Sequence, residues 1–176
     1  MTAPLPRQFR LLFLCTGNSA RSQMAEAVMS RKGTGRFDAQ SAGSHPAVQV
    51  NPLAIAALRE AGIEWRGHSP RRVDGLEREP WDFVITVCDK ARESCPVFPG
   101  QPVVAHWGMP DPAAVVGPEE IQRAAFADAL RLISRRIDLM LALPIETLQH
   151  LALEARVRAI GQDGAEAVAS GGRAGG

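Results

Sequence analysis

The segment from residue 10 to residue 31 constrains the fold of this 176-residue chain more than any other part of it. It begins with a continuously apolar run that ends at Cys15, and Thr16-Gly17-Asn18 then gives a turn signal. Apolar residues at helical spacing follow, and Gly33-Thr34-Gly35 ends the pattern. The segment therefore predicts a short buried strand, a tight loop and a helix in immediate succession.

The same alternation of strand and helix signals continues along the chain. Further strands are predicted at 37–42, 81–88 and 103–107, and further helices at 52–61, from 118 to about 140, and after Pro144. Strands that alternate with helices pair in parallel through right-handed crossovers. We predict an α/β fold: one three-layer domain with a four-stranded parallel sheet and helices on both faces.

The length of the chain suits one domain with a full core. We expect the main domain to span residues 8–142 and an extra C-terminal helix to span 145–162. The Gly/Ala/Ser-rich segment 163–176 is predicted to be disordered. The sequence leaves the role of the extra helix open: covering an apolar face, mediating association or contacting a partner.

Charge and cysteine content limit the partners. Lys and Arg number 20 against 19 for Asp and Glu, so no strong net charge attracts nucleic acid or a membrane. The apolar run before Cys15 is shorter than a signal-peptide core or a membrane span requires. An odd count of three cysteines favours reduced thiols over a disulfide framework. We expect a cytoplasmic monomer with reactive thiols and a small-molecule ligand.

The turn from the first strand into the first helix is electropositive. Backbone N–H groups and the helix N-terminus favour an anion there, and Arg21 adds a planar fork of charged donors. The same field is expected to lower the pKa of Cys15 and make its thiolate a nucleophile at neutral pH. The predicted oxyanion-binding residues are Thr16, Gly17, Asn18, Ser19, Ala20, Arg21 and Ser22.

The loop Cys15-Thr-Gly-Asn-Ser-Ala-Arg-Ser22 resembles the signature of the low-molecular-weight protein tyrosine phosphatases and of the arsenate reductases that share their fold. The resemblance extends over about residues 10–142. It implies that Asn18 holds the loop in shape, that Arg21 clamps the oxyanion and that Ser22 hydrogen-bonds the thiolate. Ala20 departs from the second loop cysteine that is common in both branches.

Asp111-Pro112 matches the Asp-Pro element of the same family. The resemblance implies that Asp111 is the general acid, which gives a proton to the departing oxygen. Considered without the loop, an Asp-Pro pair is more often a simple turn cap. The phosphatases follow this element with tyrosines that frame an aryl substrate, whereas this chain has Ala113-Ala114 and no tyrosine at all.

Cys88 and Cys95 favour the reductase branch. Phosphoester hydrolysis needs only one cysteine, but reduction of As(V) to As(III) needs two electrons, which a dithiol supplies when it becomes a disulfide. Resemblance to the thioredoxin-linked arsenate reductases implies an adduct on Cys15, a Cys15–Cys88 disulfide and then a Cys88–Cys95 disulfide. Thioredoxin would reduce the last of these, although relatives also use glutaredoxin with glutathione or other small thiols.

The spacing of Cys88 and Cys95 adds a mechanical expectation. Seven residues of α-helix would separate their Cα atoms by roughly 10 Å, beyond the roughly 7 Å limit for a disulfide. The segment between them must therefore unwind or loop out when it is oxidised.

Alternatives remain at this stage. A phosphatase would use the same loop and Asp111, and a non-enzymatic oxyanion sensor would keep the thiols without turnover. Zinc bound by Cys88, Cys95 and His106 is disfavoured by the wide cysteine spacing, and we expect neither metal nor cofactor. In some relatives a monovalent cation lies beside the loop; Arg71 occupies that region here and would instead supply positive charge directly.

Overall fold

The computed structural model describes residues 6–163. Its sheet has four parallel strands in the order β2-β1-β3-β4, and five α-helices belong to the described part of the chain. The strands are β1 (Phe9–Cys15), β2 (Phe37–Gly43), β3 (Phe83–Thr86) and β4 (Val103–His106). The helices are α1 (Arg21–Lys32), α2 (Pro52–Glu60), α3 (Asp89–Glu93), α4 (Glu119–Leu141) and α5 (His150–Ile160).

Both faces of the sheet are covered. Consecutive residues of β1 point to opposite faces, yet Leu11, Leu12 and Phe13 are all fully buried, and so are the residues of β3. Helix α1 packs against β1 and β2, and α4 packs against α1 and α2. The predicted three-layer domain with a parallel sheet is confirmed.

Local signals place most helix ends where they were predicted. Asn51 caps α2 because its side chain accepts a hydrogen bond from the N–H of Leu53, and Pro52 takes the first helical position. Helix α1 ends at Gly33, as expected. Strand β3 is shorter than the predicted 81–88, since Cys88 already serves as the N-cap of α3, a helix the sequence pattern did not reveal.

The register of the strands aligns the residues at their carboxyl ends. Cys15 lies opposite Gly43 across β1 and β2, and Thr86 lies opposite His106 across β3 and β4. The loops that follow β1, β3 and β4 therefore leave the sheet at one common edge.

Helix α5 packs along the edge strand β4. Arg158 Nε donates to the carbonyl of Val104 at 3.1 Å, and Trp107 Nε1 donates to the carbonyl of Val157 at 3.0 Å. The extra helix, predicted at 145–162, thus spans His150–Ile160 and packs along a sheet edge. The division at residue 142 stays a prediction, and the predicted disorder at 164–176 lies outside the described residues. No helix within residues 6–163 is long and apolar enough to cross a membrane.

Candidate active site

Cys15 ends β1 and its sulfur is buried at the start of the loop. Its Sγ lies 2.9 Å from Ser22 Oγ and accepts a hydrogen bond from the backbone N–H of Asn18 at 3.1 Å. Ser22 is in the first turn of α1, so the strand and the helix hold the thiol and the hydroxyl together. This is the contact that the loop resemblance implies for Ser22.

The expected pKa of Cys15 needs correction. Burial raises the pKa of this thiol above its ordinary value, and the hydrogen bonds from Ser22 and Asn18 and the nearby Cys88 modify it less. The expectation of a lowered pKa rested on the positive field of the loop and left out the loss of water around the buried sulfur, which raises the pKa.

The loop carbonyls are tied to the segment after β2. Those of Thr16 and Gly17 accept hydrogen bonds from the backbone of 45–47, each at 2.9 Å, and that of Ser19 accepts from Asn51 N at 2.8 Å. Because these carbonyls turn toward the 45–51 segment, the peptide N–H groups of the loop are oriented away from it. This orientation of the N–H groups is the one that anion binding requires. The loop ends at Ala20, which directly precedes the first residue of α1.

Asn18 lies at the centre of the loop with a positive φ of 49°, a conformation that asparagine tolerates better than most residues. Its fully buried side chain donates to Ser22 Oγ and to Ser41 Oγ, both at 2.9 Å. Its Oδ1 accepts from the backbone N–H of Arg71 at 3.0 Å. One amide thus links the loop, β2 and the segment before the third strand.

Sequence reasoning missed the polar residues that support Asn18. Gln23 Nε2 donates to the Asn18 carbonyl at 3.2 Å and to the His68 carbonyl at 2.9 Å. Ser41 Oγ donates to Glu26 Oε2 at 3.1 Å, and burial raises the pKa of Glu26 above its ordinary value. Helical periodicity could not reveal them, because on a helical wheel Glu26 falls nearly opposite the stripe of Met24 and Val28 that predicts the buried face.

Gly43 is a further residue that the sequence did not single out for the site. A Cβ placed on it would lie 2.5 Å from the carbonyl oxygen of Thr16 and 3.0 Å from the backbone nitrogen of Asn18. The loop therefore rests directly on the backbone of β2, and a glycine is needed for this close approach.

Arg21 and Asp111 lie together beside the loop. Arg21 NH1 donates to the carbonyl of Met109 at 3.0 Å, and its NH2 is 3.7 Å from Asp111 Oδ2. Asp111 also accepts from the N–H of Ala113 at 2.9 Å, so it caps a short 3-10 turn as well as facing the arginine. Asp111 can therefore cap this turn and still lie beside the loop, where the sequence predicts a general acid.

Cys88 borders the loop from the side of β3. Its Sγ lies 3.3 Å from Thr16 Oγ1 and accepts from the N–H of Ala91 at 3.4 Å. Cys88 is buried and occupies the N-cap position of α3. The structure therefore brings a second thiol to the residue that directly follows Cys15.

Cys95 lies one residue beyond the C-cap of α3, Ser94, and is half-buried. It lines a surface cavity of about 430 Å³ together with Arg92, His106 and Arg158. All three cysteines are free thiols. The caps of α3, Cys88 and Ser94, are roughly 9 Å apart along the helix axis and Cys95 follows, so the expectation of unwinding still applies.

The cation and zinc alternatives can be compared with the side-chain positions. Arg71 Nε donates to the Ser41 carbonyl at 3.0 Å, which puts its guanidinium beside the Asn18 network. Within residues 6–163 no cluster of three or more His, Cys, Asp or Glu side chains could hold a metal ion. His106 instead contacts Thr86 and Asp89, so the zinc set of Cys88, Cys95 and His106 has no geometric support.

Fold and site together define a class: parallel α/β proteins in which a cysteine ends the first strand and a tight loop leads to an arginine at the start of the first helix. Residues 10–150 match the family described as low molecular weight phosphotyrosine protein phosphatase. The chain belongs to this family, which confirms the resemblance read from the loop.

Relatives within the family include reductases and phosphatases. An arsenate reductase from Halalkalibacterium halodurans is 38% identical over 127 residues, covering 72% of this chain and 91% of the relative. The structure of a thioredoxin-dependent arsenate reductase from Corynebacterium glutamicum matches with a TM-score of 0.52 and 25% identity, over 76% of this chain and 64% of that one. An arginine phosphatase from Geobacillus stearothermophilus matches with a TM-score of 0.61 and 26% identity, over 81% and 99%.

Proposed function

We propose that this protein is an arsenate reductase that passes two electrons through Cys15, Cys88 and Cys95. The observation that carries the proposal is the 3.3 Å contact between Cys88 Sγ and Thr16 Oγ1, which puts a second thiol at the edge of the oxyanion loop. A phosphatase has no use for a thiol in that position. The identity to the Halalkalibacterium halodurans arsenate reductase supports the same assignment.

Arsenate binds first, cradled by the loop N–H groups and by Arg21. The Arg21 guanidinium is held 3.7 Å from Asp111 in the free protein and turns toward the anion when it binds. The bound arsenate is itself a base within reach of Cys15, so the thiol proton passes to an arsenate oxygen, and Arg21, Ser22 and the Asn18 N–H stabilise the thiolate that remains. Because burial raises the pKa of free Cys15, we expect its deprotonation to accompany arsenate binding.

The Cys15 thiolate attacks arsenic and an oxygen leaves with a proton from Asp111, which gives a thioarsenate and water. The Cys88 thiolate then attacks the sulfur of Cys15. The S–As bond breaks, its electron pair stays on arsenic, and arsenite leaves while a Cys15–Cys88 disulfide forms. Thr16 Oγ1 is placed to orient the attacking sulfur.

Cys95 completes the transfer of oxidation away from the loop. Its thiolate attacks Cys88, Cys15 leaves as a thiolate, and a Cys88–Cys95 disulfide results. An external dithiol reduces this disulfide and becomes a disulfide itself, so the two electrons balance. We propose thioredoxin as that dithiol, because the Corynebacterium glutamicum neighbour is thioredoxin-dependent. Glutaredoxin with glutathione is the alternative reductant.

A phosphatase is the second candidate, since Cys15, Arg21 and Asp111 are also the groups that phosphoester hydrolysis would use. The likeness to an arginine phosphatase favours considering it. Ala113-Ala114 follow the Asp-Pro pair, and the chain has no tyrosine to frame an aryl ring. We expect weak phosphatase activity, because arsenate and phosphate share shape and charge.

The two functions are separated by assaying one pair of proteins. The native protein and a Cys88→Ser, Cys95→Ser variant are compared for arsenate-dependent NADPH oxidation with thioredoxin and its reductase, and for aryl-phosphate hydrolysis. We expect arsenate reduction to vanish in the variant while hydrolysis survives. A native protein that hydrolyses the ester efficiently and does not reduce arsenate would establish the phosphatase instead.

A further inference from the structure

Helix α3 is connected to strand β4 through one pair of side chains. Asp89 Oδ1 lies 2.9 Å from His106 Nε2, and His106 Nδ1 lies 2.8 Å from Thr86 Oγ1. A carboxylate only accepts, so Nε2 carries the proton and donates to Asp89. The Nδ1 of a neutral imidazole then accepts from the Thr86 hydroxyl. Thr86 thus holds the imidazole from the side opposite to Asp89, whether His106 is neutral or protonated.

The two ends of this contact differ in burial and in the packing around them. His106 ends β4 directly opposite Thr86, and its side chain is only 20% exposed. Behind it, Gly161 at the end of α5 packs so closely on the His106 carbonyl oxygen that a Cβ would not fit. Asp89, in contrast, begins a helix of five residues and its side chain is 88% exposed. His106 is therefore the firmly packed partner, and any rearrangement of α3 would displace Asp89.

We propose that His106 is a positioning residue that holds α3 in its helical form through Asp89 and so sets the balance between the dithiol and the disulfide of Cys88 and Cys95. This inference rests on the proposed function. The helical form keeps Cys88 beside Thr16 at the loop. Closing the Cys88–Cys95 disulfide requires α3 to unwind, because its caps Cys88 and Ser94 are already roughly 9 Å apart along the helix axis and Cys95 follows, whereas a disulfide permits roughly 7 Å.

Unwinding carries Asp89, the residue next to Cys88, away from His106. The contact is therefore present in the dithiol and absent in the disulfide, and it raises the reduction potential of the pair. In the catalytic cycle it breaks when the Cys95 thiolate attacks Cys88 and displaces the Cys15 thiolate. After thioredoxin has reduced the disulfide, the same contact favours the return of Cys88 to the loop.

The test measures the reduction potential of Cys88–Cys95 in a Cys15→Ser background, where only one intramolecular disulfide can form. Full-length proteins are equilibrated with dithiothreitol in its dithiol and disulfide forms, and free thiols are then counted by alkylation and mass spectrometry. The compared variants are Asp89→Asn, His106→Ala and the double variant. Asp74→Asn is the matched control, because Asp74 also forms an exposed ion pair, with Arg72, at 2.6 Å.

We expect Asp89→Asn and His106→Ala each to make the disulfide about two- to fivefold more stable, the range for an exposed hydrogen bond or ion pair. A fivefold change lowers the potential by about 20 mV for this two-electron couple. The double variant should change less than the sum of the two single changes, because both substitutions act on one contact. His106→Gln should restore part of the native value, since its amide can donate to Asp89, and Asp74→Asn should leave the potential unchanged.

Asp89 also stabilises the first turn of α3 by its charge, and the double variant separates this effect from the contact with His106. Additive shifts in the double variant, or an Asp89→Asn potential equal to that of the control, would overturn the proposal. If His106→Ala does not fold, the exposed Asp89→Asn variant and His106→Gln still decide the outcome. The measurement needs no arsenate, so its result is independent of whether the proposed reductase activity is found.

Discussion

Replacing Gly43 by alanine is the sharpest test of how β2 supports the loop. The new Cβ would lie 2.5 Å from the carbonyl oxygen of Thr16, whereas an ordinary contact is about 3.5 Å, so the two atoms must separate by about 1 Å. That carbonyl is held by the N–H of His45 at 2.9 Å, and the strand is held by its pairing with β1. Overpacking of this kind costs about 1–3 kcal/mol, or about 2–4 °C of Tm per kcal/mol for a chain of this size.

The catalytic effect should be larger than the loss of stability suggests. A displacement of about 1 Å at a reacting group costs on the order of 100-fold in rate. Gly35→Ala is the matched control, because Gly35 has a φ of +81° and no atom lies within 4 Å of the place its new Cβ would take, so it loses stability through backbone strain alone. We expect similar Tm losses for both variants, measured by thermal unfolding, and a loss of kcat for arsenate reduction in Gly43→Ala only. Equal activities in the two variants would refute the reasoning.

Three further predictions concern the groups around the loop. Ser22→Ala removes a hydrogen bond that lowers the pKa of Cys15, so this pKa should rise. The measurement is the pH of half-maximal alkylation by iodoacetamide, in a protein whose other two cysteines are replaced by serine. An unchanged pH profile would contradict the role of Ser22. Because burial raises the pKa of Glu26, the stability that this carboxyl contributes is fully present below about pH 4 and is lost as pH rises through the raised pKa. The Tm of Glu26→Gln relative to the native Tm should therefore increase toward neutral pH. A Tm difference that does not change with pH would count against this prediction. Since Arg71 lies beside the Asn18 network, arsenate reduction should not depend on potassium, which a titration of activity with potassium chloride against choline chloride will show.

Much of the fold follows from the sequence because its signals are local and agree with one another. The apolar run to Cys15, the turn after it and the helix that Gly33 ends all describe one strand–loop–helix unit, and the structure has it. Parallel pairing then brings the carboxyl ends of β1, β3 and β4 to one edge. Helix α3 was missed because five residues carry too little periodicity to distinguish a helix from a loop.

The candidate site was less completely predictable. The cysteines and Asp111 stand in recognisable motifs, but Ser41 and Gly43 act through contacts with the loop that are distant in sequence and depend on strand register. The pKa of Cys15 could not be derived for a similar reason. Local sequence reveals the helix N-terminus and Arg21, whereas the burial that dominates depends on how the whole chain packs around the sulfur.

The central claim is that three thiols pass two electrons to arsenate in a fixed order, and single-turnover trapping tests it most directly. The fully reduced protein is mixed with arsenate without any external thiol, quenched with acid, and examined for arsenite and for disulfides by mass spectrometry of peptides. We expect one arsenite per chain with a Cys88–Cys95 disulfide in the native protein, and a Cys15–Cys88 disulfide in Cys95→Ser. Arsenite formed by a Cys15→Ser protein, or native turnover that leaves all three thiols reduced, would contradict the account.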